Sequence, residues 1–294
     1  MEAKLLATSG LFAESRFRRL FKARHSEMNS MEIRTKTLTA ALVDDPANAF
    51  TVYRLQIKSS MRRADAGEWT LAKRYSEFFI FRRELLKQIR KWEGALDARM
   101  WSSKRFALIS TALRKPLTPN FPRKHMRCDT EEIVRERRNG LQDFLRKLLD
   151  AYADLSVYIY NNSSEKSVGN AKEALVYAHL KEIFLDMEKF LDIPAVQKEV
   201  ERVQIAAILS LEDVDESEDA RPEDDNDSGE LVCCICLNGP ADAKDANDKM
   251  VKLPCGHKFH EDCVIDWFNA STTCPLCRRQ SVAMASPADS ELSV

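Results

Sequence analysis

Three segments near the start of the chain carry strand patterning. Phe50-Thr-Val-Tyr-Arg-Leu-Gln-Ile57 alternates with a period of two, as a strand with one buried face does. Ile33 to Val43 mixes β-branched and polar residues, and Trp69-Thr-Leu-Ala-Lys-Arg-Tyr75 follows the turn-like Asp65-Ala66-Gly67. Together they predict an antiparallel meander. The period then lengthens. Phe78, Phe79, Phe81, Leu85, Leu86 and Ile89 fit one face of a helix running to about Trp92. Residues 94–113 match no clear element. Pro116, Pro119 and Pro122 break any helix and favour an extended, polyproline-like turn. A second helix is predicted from Thr130, with Asp129 and Thr130 as caps and Glu131 and Glu132 in its first turn. Its apolar face carries Ile133, Leu141, Phe144, Leu145 and Leu148. Residues 171–210 predict one or two more helices, interrupted near Pro194, with Leu175, Ile183, Phe184, Met187, Phe190 and Leu191 as core positions. The predicted fold class is α+β.

The 294 residues suggest about two domains, and 44% hydrophobic content is ordinary for globular protein. Residues 1–30 read as a basic N-terminal tail. Within it Phe12, Phe17, Leu20 and Phe21 lie among Arg16, Arg18 and Arg19, a pattern that would suit a short helix on a membrane surface. Glu2, Glu14 and Glu27 argue against a mitochondrial leader. No apolar run approaches the roughly 18 residues of a membrane span, and no secretory signal is visible, so a cytoplasmic location is expected. The net charge of −1 hides an asymmetry: residues 31–160 carry 26 Lys+Arg against 16 Asp+Glu, whereas 212–230 carry 11 acids against Arg221. The first stretch suits an anionic partner. Its cations do not line one groove-sized helix, which speaks against nucleic acid. The second reads as a disordered acidic linker, about 25 Å long as a coil, and 281–294 reads as a loose tail.

Seven of the eight cysteines fall between Cys233 and Cys277. With two histidines they supply eight ligands: Cys233, Cys236, Cys255, His257, His260, Cys263, Cys274 and Cys277. A reducing compartment disfavours disulfides. Thiolates and imidazoles at four per site are what structural zinc prefers, so two zinc ions are expected. A closed four-ligand site leaves no position for substrate, which makes both metals structural. Cys234 is set aside because only one residue separates it from Cys236. A different two-zinc order, such as a PHD-like finger, is the alternative. The His257-x-x-His260 spacing within Leu253-Pro-Cys-Gly-His257 favours something else: this segment resembles the RING family in its His-His variant.

The resemblance implies a small cross-braced two-zinc domain over 231–280. One zinc would take Cys233, Cys236, His260 and Cys263, and the other Cys255, His257, Cys274 and Cys277. It also implies contact with a ubiquitin-loaded conjugating enzyme through Ile235, Trp267 and Pro275, with Arg278 bridging that enzyme and its ubiquitin. There would be no covalent catalytic residue. Trp267 could equally be a core aromatic of a small domain.

Lys73-Arg-Tyr-Ser-Glu-Phe78, then Pro119-Asn-Phe-Pro-Arg-Lys124, then Arg135-Glu-Arg-Arg-Asn-Gly140 follow the meander in order. This set resembles a PX domain, covering about 31–155: a three-stranded antiparallel sheet with a helical subdomain. The resemblance implies a phosphoinositide site in which Arg74 holds a 3-phosphate, Tyr75 packs on the ring, Lys124 holds the phosphodiester and Arg137 binds ring hydroxyls. Guanidinium forks and an aromatic face suit such a headgroup. Phe121 and Met126 would dip into the bilayer. Alternatives remain open: Arg74 pairing with a neighbouring acid, or the proline turn serving as a ligand for another protein.

The expected protein is therefore a RING-type ubiquitin ligase, peripheral on endosomal membranes. Phosphatidylinositol 3-phosphate would be its lipid, and the linker would join a helical extension (171–211) to the RING. Its partners would be a charged conjugating enzyme, a phosphoinositide membrane and a protein substrate of unknown identity. The other reading is a non-catalytic PX-based trafficking adaptor.

Overall fold

The computed structural model describes residues 15–42, 45–62, 67–125, 129–164, 171–214, 232–238 and 249–281. They fall into two compact units, divided within the first helix between Ala23 and Arg24 and again after Ala195.

The larger unit, 24–195, begins with the second half of α1 (Ser15–Ser30), then β1 (Met31–Leu42), β2 (Asp45–Ser59) and β3 (Glu68–Arg74). The strands form one antiparallel sheet in the order β1-β2-β3, with Thr35 opposite Leu55 and Leu55 opposite Leu71. The period of two has its expected effect. Tyr53, Leu55 and Ile57 are fully buried, while Arg54 and Lys58 face solvent. Helix α2 (Tyr75–Ala95) follows without a loop and buries Phe78, Leu85, Ile89 and Trp92. The short α3 (Ala98–Trp101) and α4 (Lys104–Arg114) account for the segment that showed no clear pattern. Glu93 of α2 ties α4 in place, accepting from Ser110 Oγ and Arg114 Nε, both at 2.7 Å. The Arg114 contact holds the Glu93 carboxyl below the usual carboxylate range.

Helix α5 (Glu131–Ser164) starts one residue after Thr130, whose hydroxyl caps the Ile133 N–H at 3.4 Å. Leu141, Phe144, Leu145 and Leu148 form its buried stripe. Helix α6 (Ala171–Phe190) closes the same core rather than forming a separate extension. The Trp92 indole N–H donates to Val176 O at 3.1 Å, Tyr152 stacks on Phe184 at 4.8 Å, and Phe81 stacks on Phe190 at 3.8 Å. Ile183, Phe184, Met187, Phe190 and Leu191 are buried as expected. Leu175 is not: it is 52% exposed, because it lies on the solvent side of α6.

The smaller unit joins 15–23 to 196–281. It contains the first half of α1, most of α7 (Ala195–Leu209), β4 (Glu212–Asp213), β5 (Met250–Lys252), β6 (Lys258–His260) and α8 (Glu261–Trp267). The three short strands pair antiparallel in the order β4-β5-β6.

Two expectations are corrected here. Residues 15–30 are helix, not tail, and Phe17, Leu20 and Phe21 are buried in protein rather than offered to a membrane. The acidic stretch 212–230 is not a tether between units at its start: Glu212–Asp213 is a strand of the small sheet, and residues on both sides of the stretch belong to the same unit. Residues 215–231 lie outside the described ones, as do Met126 and Cys128. Ser281, placed in the tail by the sequence, is buried, and its N–H donates to Thr272 O at 3.2 Å. No helix among the described residues is long and apolar enough to cross a membrane.

Candidate functional site

The eight predicted ligands gather into two groups of four. Cys233, Cys236, His260 and Cys263 form one, and Cys255, His257, Cys274 and Cys277 the other, with ligand atoms in each within 4.8 Å of one another. The pairing is interleaved along the chain. His260 Nδ1 lies 3.2 Å from Cys236 Sγ, and His257 Nδ1 lies 3.3 Å from Cys255 Sγ and 3.5 Å from Cys274 Sγ. Such crowding is hostile to three thiol or thiolate groups and an imidazole without a cation. Within each group the thiol pKa values are driven apart. Burial, then the neighbouring Cys233 and Cys236, push the Cys263 thiol up to about 12 and burial pushes Cys274 up to about 11, whereas burial at Cys233 is outweighed by hydrogen bonds, which lower it and bring Cys277 down to about 7. A divalent ion of borderline softness removes that conflict, since it binds the thiolates directly and prefers four N/S donors. The donor sets fit two zinc ions, both structural.

Local backbone geometry explains why each outer Cys-x-x-Cys pair can serve. In the first, the Leu237 N–H donates to Cys233 O at 2.7 Å and the Cys233 N–H to Asn238 O at 3.0 Å. In the second, the Arg278 N–H donates to Cys274 O at 2.9 Å and the Cys274 N–H to Arg279 O at 2.8 Å. The two turns are copies of each other. Each turns through a left-handed residue just after its second cysteine, Leu237 at φ 63° and Arg278 at φ 58°. Non-glycine residues there carry strain of about 1–3 kcal/mol.

The surface around the clusters contains the predicted contact set. Ile235 and Pro275 are partly exposed, and Arg278 is exposed. Trp267 is half-buried, its indole N–H donating to Thr273 O at 2.8 Å, which fixes the ring across the second knuckle. Two further apolar residues went unnoticed in the sequence: Leu237, 75% exposed, and Leu276, 53% exposed. Their positions, directly after or between knuckle cysteines, were the available signal.

In the larger unit, the predicted lipid residues meet around an aromatic cluster. The Arg137 guanidinium lies 4.0 Å over the Tyr75 ring, Tyr75 lies 6.1 Å from Phe121 and 6.2 Å from Phe79, and Lys124 Nζ lies 5.8 Å from the Phe79 ring. Arg74 stands slightly apart. Its exposed guanidinium stacks 3.9 Å over Phe50, and its backbone N–H, not its side chain, is bonded to Glu77 at 2.7 Å. Tyr75 is buried, with its hydroxyl donating to Pro122 O at 2.9 Å. Arg137 is buried too, ion-paired with Asp129, while its Nε has no hydrogen-bond partner among the described residues.

Phe121 is partly exposed: one edge packs against Phe144 at 5.2 Å, and Arg82 lies above the ring, so it also helps to prop the proline turn. Pro122 itself is buried against Gly140: a Cβ there would lie 2.7 Å from Pro122 Cγ and Cδ. The turn is thus built into the fold, which disfavours its service as a free ligand for another protein. Beyond the cluster, an open cleft of about 410 Å³ runs past Thr37, Thr39, Thr51, Arg135 and Arg138.

A three-stranded meander capped by helices beside a basic aromatic cluster, and an interleaved pair of four-ligand metal sites, define a PX domain and a RING finger. Comparison agrees. The PX domain family matches residues 61–157, and the Ring finger domain family residues 231–278. The chain carries both domains.

Curated relatives include RING-H2 finger protein ATL39 of Arabidopsis thaliana, 46% identical over 54 residues (18% of this chain, 39% of that protein). E3 ubiquitin-protein ligase Iruka of Drosophila melanogaster is 31% identical over 83 residues, 28% of this chain and 21% of that protein. RING finger protein 141 of Danio rerio is 30% identical over 115 residues, 39% of this chain and 48% of that protein. The chain thus spans less than half the length of each. No solved structure matches.

Proposed function

We propose that this chain is a RING-type ubiquitin ligase held at membranes by its PX domain. The observation that carries the reading is Arg278. It sits in a left-handed backbone position that favours glycine, and its side chain is exposed with no hydrogen bond or ion pair among the described residues. Folding alone gives no reason for an arginine there. A guanidinium offering its whole donor fork to a partner does. Around it Ile235, Trp267 and Pro275, with Leu237 and Leu276, form an apolar surface suited to a conjugating enzyme. The RING would hold that enzyme's ubiquitin thioester exposed to a substrate lysine, which is catalysis by positioning, with zinc shaping the surface. Relatives named as ubiquitin ligases match in sequence and support the reading.

For the lipid, Lys124 offers an exposed cation beside Phe79, which neighbours Tyr75, and Arg74 a second exposed cation over Phe50. That chemistry suits a phosphorylated inositol, with phosphatidylinositol 3-phosphate and an endosomal surface the specific reading. Arg137, buried over the Tyr75 ring and paired with Asp129, would have to turn outward to reach ring hydroxyls.

One experiment tests both parts. Purified zinc-loaded chain is mixed with a conjugating enzyme and ubiquitin, with or without vesicles containing phosphatidylinositol 3-phosphate. Trp267→Ala and Arg278→Ala are each expected to lower transfer at least tenfold while zinc content persists. Arg74→Ala is expected to abolish vesicle binding. No transfer by the parent chain would leave a non-catalytic adaptor, full transfer by both RING variants would reject this contact surface, and vesicle binding unchanged in Arg74→Ala would reject the lipid site.

A further inference from the structure

We propose that the RING of this chain is a composite domain, in which residues 15–23 form a missing wall and Arg19 is the residue that locks it. Neither matched domain contains this segment, since the PX match begins at 61 and the RING match at 231. The inference stands apart from the ligase reading.

Arg19 has 0% of its surface exposed. A guanidinium so placed must have its donors satisfied or it would be expelled from the fold. It is satisfied from two places on the smaller unit. Nε donates to Glu261 Oε2 at 2.9 Å, one terminal nitrogen donates to Leu211 O at 3.2 Å, and the other pairs with Asp213. Glu261 is itself only 3% exposed. Flanking contacts repeat the pattern: Arg18 reaches Glu261 at 3.3 Å, Lys22 pairs with Asp262, and Ser15 bonds Asp213. Between the polar anchors Phe17, Leu20 and Phe21 are buried, as are Leu211, Val251, Val264 and Ile265 of the same unit.

The position of Glu261 gives the contact its leverage. It follows zinc ligand His260 and precedes zinc ligand Cys263 by two residues, in the first turn of the helix that ends at Trp267. Asp213 lies in the strand that extends the RING hairpin. One guanidinium therefore joins the helix between two ligands of the first metal group to the added strand. A planar fork does this with fixed angles, which a lysine ammonium cannot reproduce. The basic run Arg18-Arg19-x-x-Lys22 is spaced to place three cations on one helical face against Asp213, Glu261 and Asp262.

The test uses the full-length zinc-loaded protein. In Arg19→Met, amide hydrogen exchange over 250–267 is expected to rise at least tenfold, and zinc transfer to a chelating dye to quicken by a similar factor. Exchange over Glu68–Ala95 should stay within twofold of the parent. The double variant Arg19→Met/Glu261→Met also removes the stranded carboxylate, and it should regain most of the lost protection. Exchange and zinc transfer within twofold of the parent in Arg19→Met would overturn the proposal. So would an equal rise in both units, or a double variant no better protected than the single one.

Discussion

The two units solve the same problem with different means. The PX unit buries whole side chains: Trp92, Tyr53, Phe78 and Phe144 fill a single core between sheet and helices. The RING unit has a core too, with Leu20, Phe259 and Phe268 buried, but its strands are only two or three residues long, so eight metal ligands and one buried guanidinium add what that small core lacks. The first unit's order is spread over many small contacts, and the second's is concentrated in a few strong ones. Loss of any one contact should therefore be graded in the former and close to all-or-none in the latter.

Removing zinc is the most severe way to break that contrast. Structural zinc supplies about 10–16 kcal/mol of apparent binding free energy, so a strong chelator, or Cys263→Ala, should unfold residues 232–281 outright. Exchange protection in β2, β3 and α2 should survive, and segment-resolved hydrogen exchange would show the split. Next comes the PX core. Trp92→Ala deletes a fully buried indole and its bond to Val176 O, at a cost of about 3–5 kcal/mol. Thermal melting of the larger unit should fall while zinc content stays at two ions per chain.

Gly140→Ala is milder and more local. The added methyl would meet Pro122 at 2.7 Å, so the turn must move. Overpacking of about 1–3 kcal/mol outweighs the roughly 1 kcal/mol that alanine gains in a helix. Because Pro122 O holds the Tyr75 hydroxyl, vesicle binding should weaken more than stability does. Smallest of all, Arg278→Gly should raise RING stability by about 1 kcal/mol through relief of the left-handed strain, while ubiquitin transfer drops. A melt and a transfer assay on the same sample would separate the two effects. A variant that loses both would show that Arg278 supports the fold.

What the sequence made legible follows from distance along the chain. The meander, α2 and α5 rest on local periods of two and 3.6. The ligand set rests on local spacings, and the RING resemblance supplied its interleaved pairing, which the structure reproduces. Partnerships across the chain that no motif carries could not be named. Arg19 looks like a solvated cation in a basic arm, because its partners lie 192 to 242 residues away. Phe121 stands beside prolines and cations in the sequence, and its edge contact with Phe144, supplied by a later helix, leaves no local trace. Leu175 satisfies helical spacing as a core residue and still faces water. Residues 212–213 read as part of an acidic coil, because backbone pairing with Val251 and Lys252 leaves no trace in composition.

The composite RING also has a timetable. Arg19 is synthesised long before Glu261, 242 residues downstream. At about 5–20 residues per second, roughly 12 to 48 seconds pass before the nascent chain contains the residue that receives this guanidinium. Through that interval Phe17, Leu20 and Phe21 have no RING to bury them, and the PX unit, which ends at Ala195, becomes complete in sequence before the interval closes. Contacts of such high sequence separation form late and slowly. The same lock that secures the finished domain makes its first segment the longest-waiting part of the newborn protein, and the part most in need of chaperone cover.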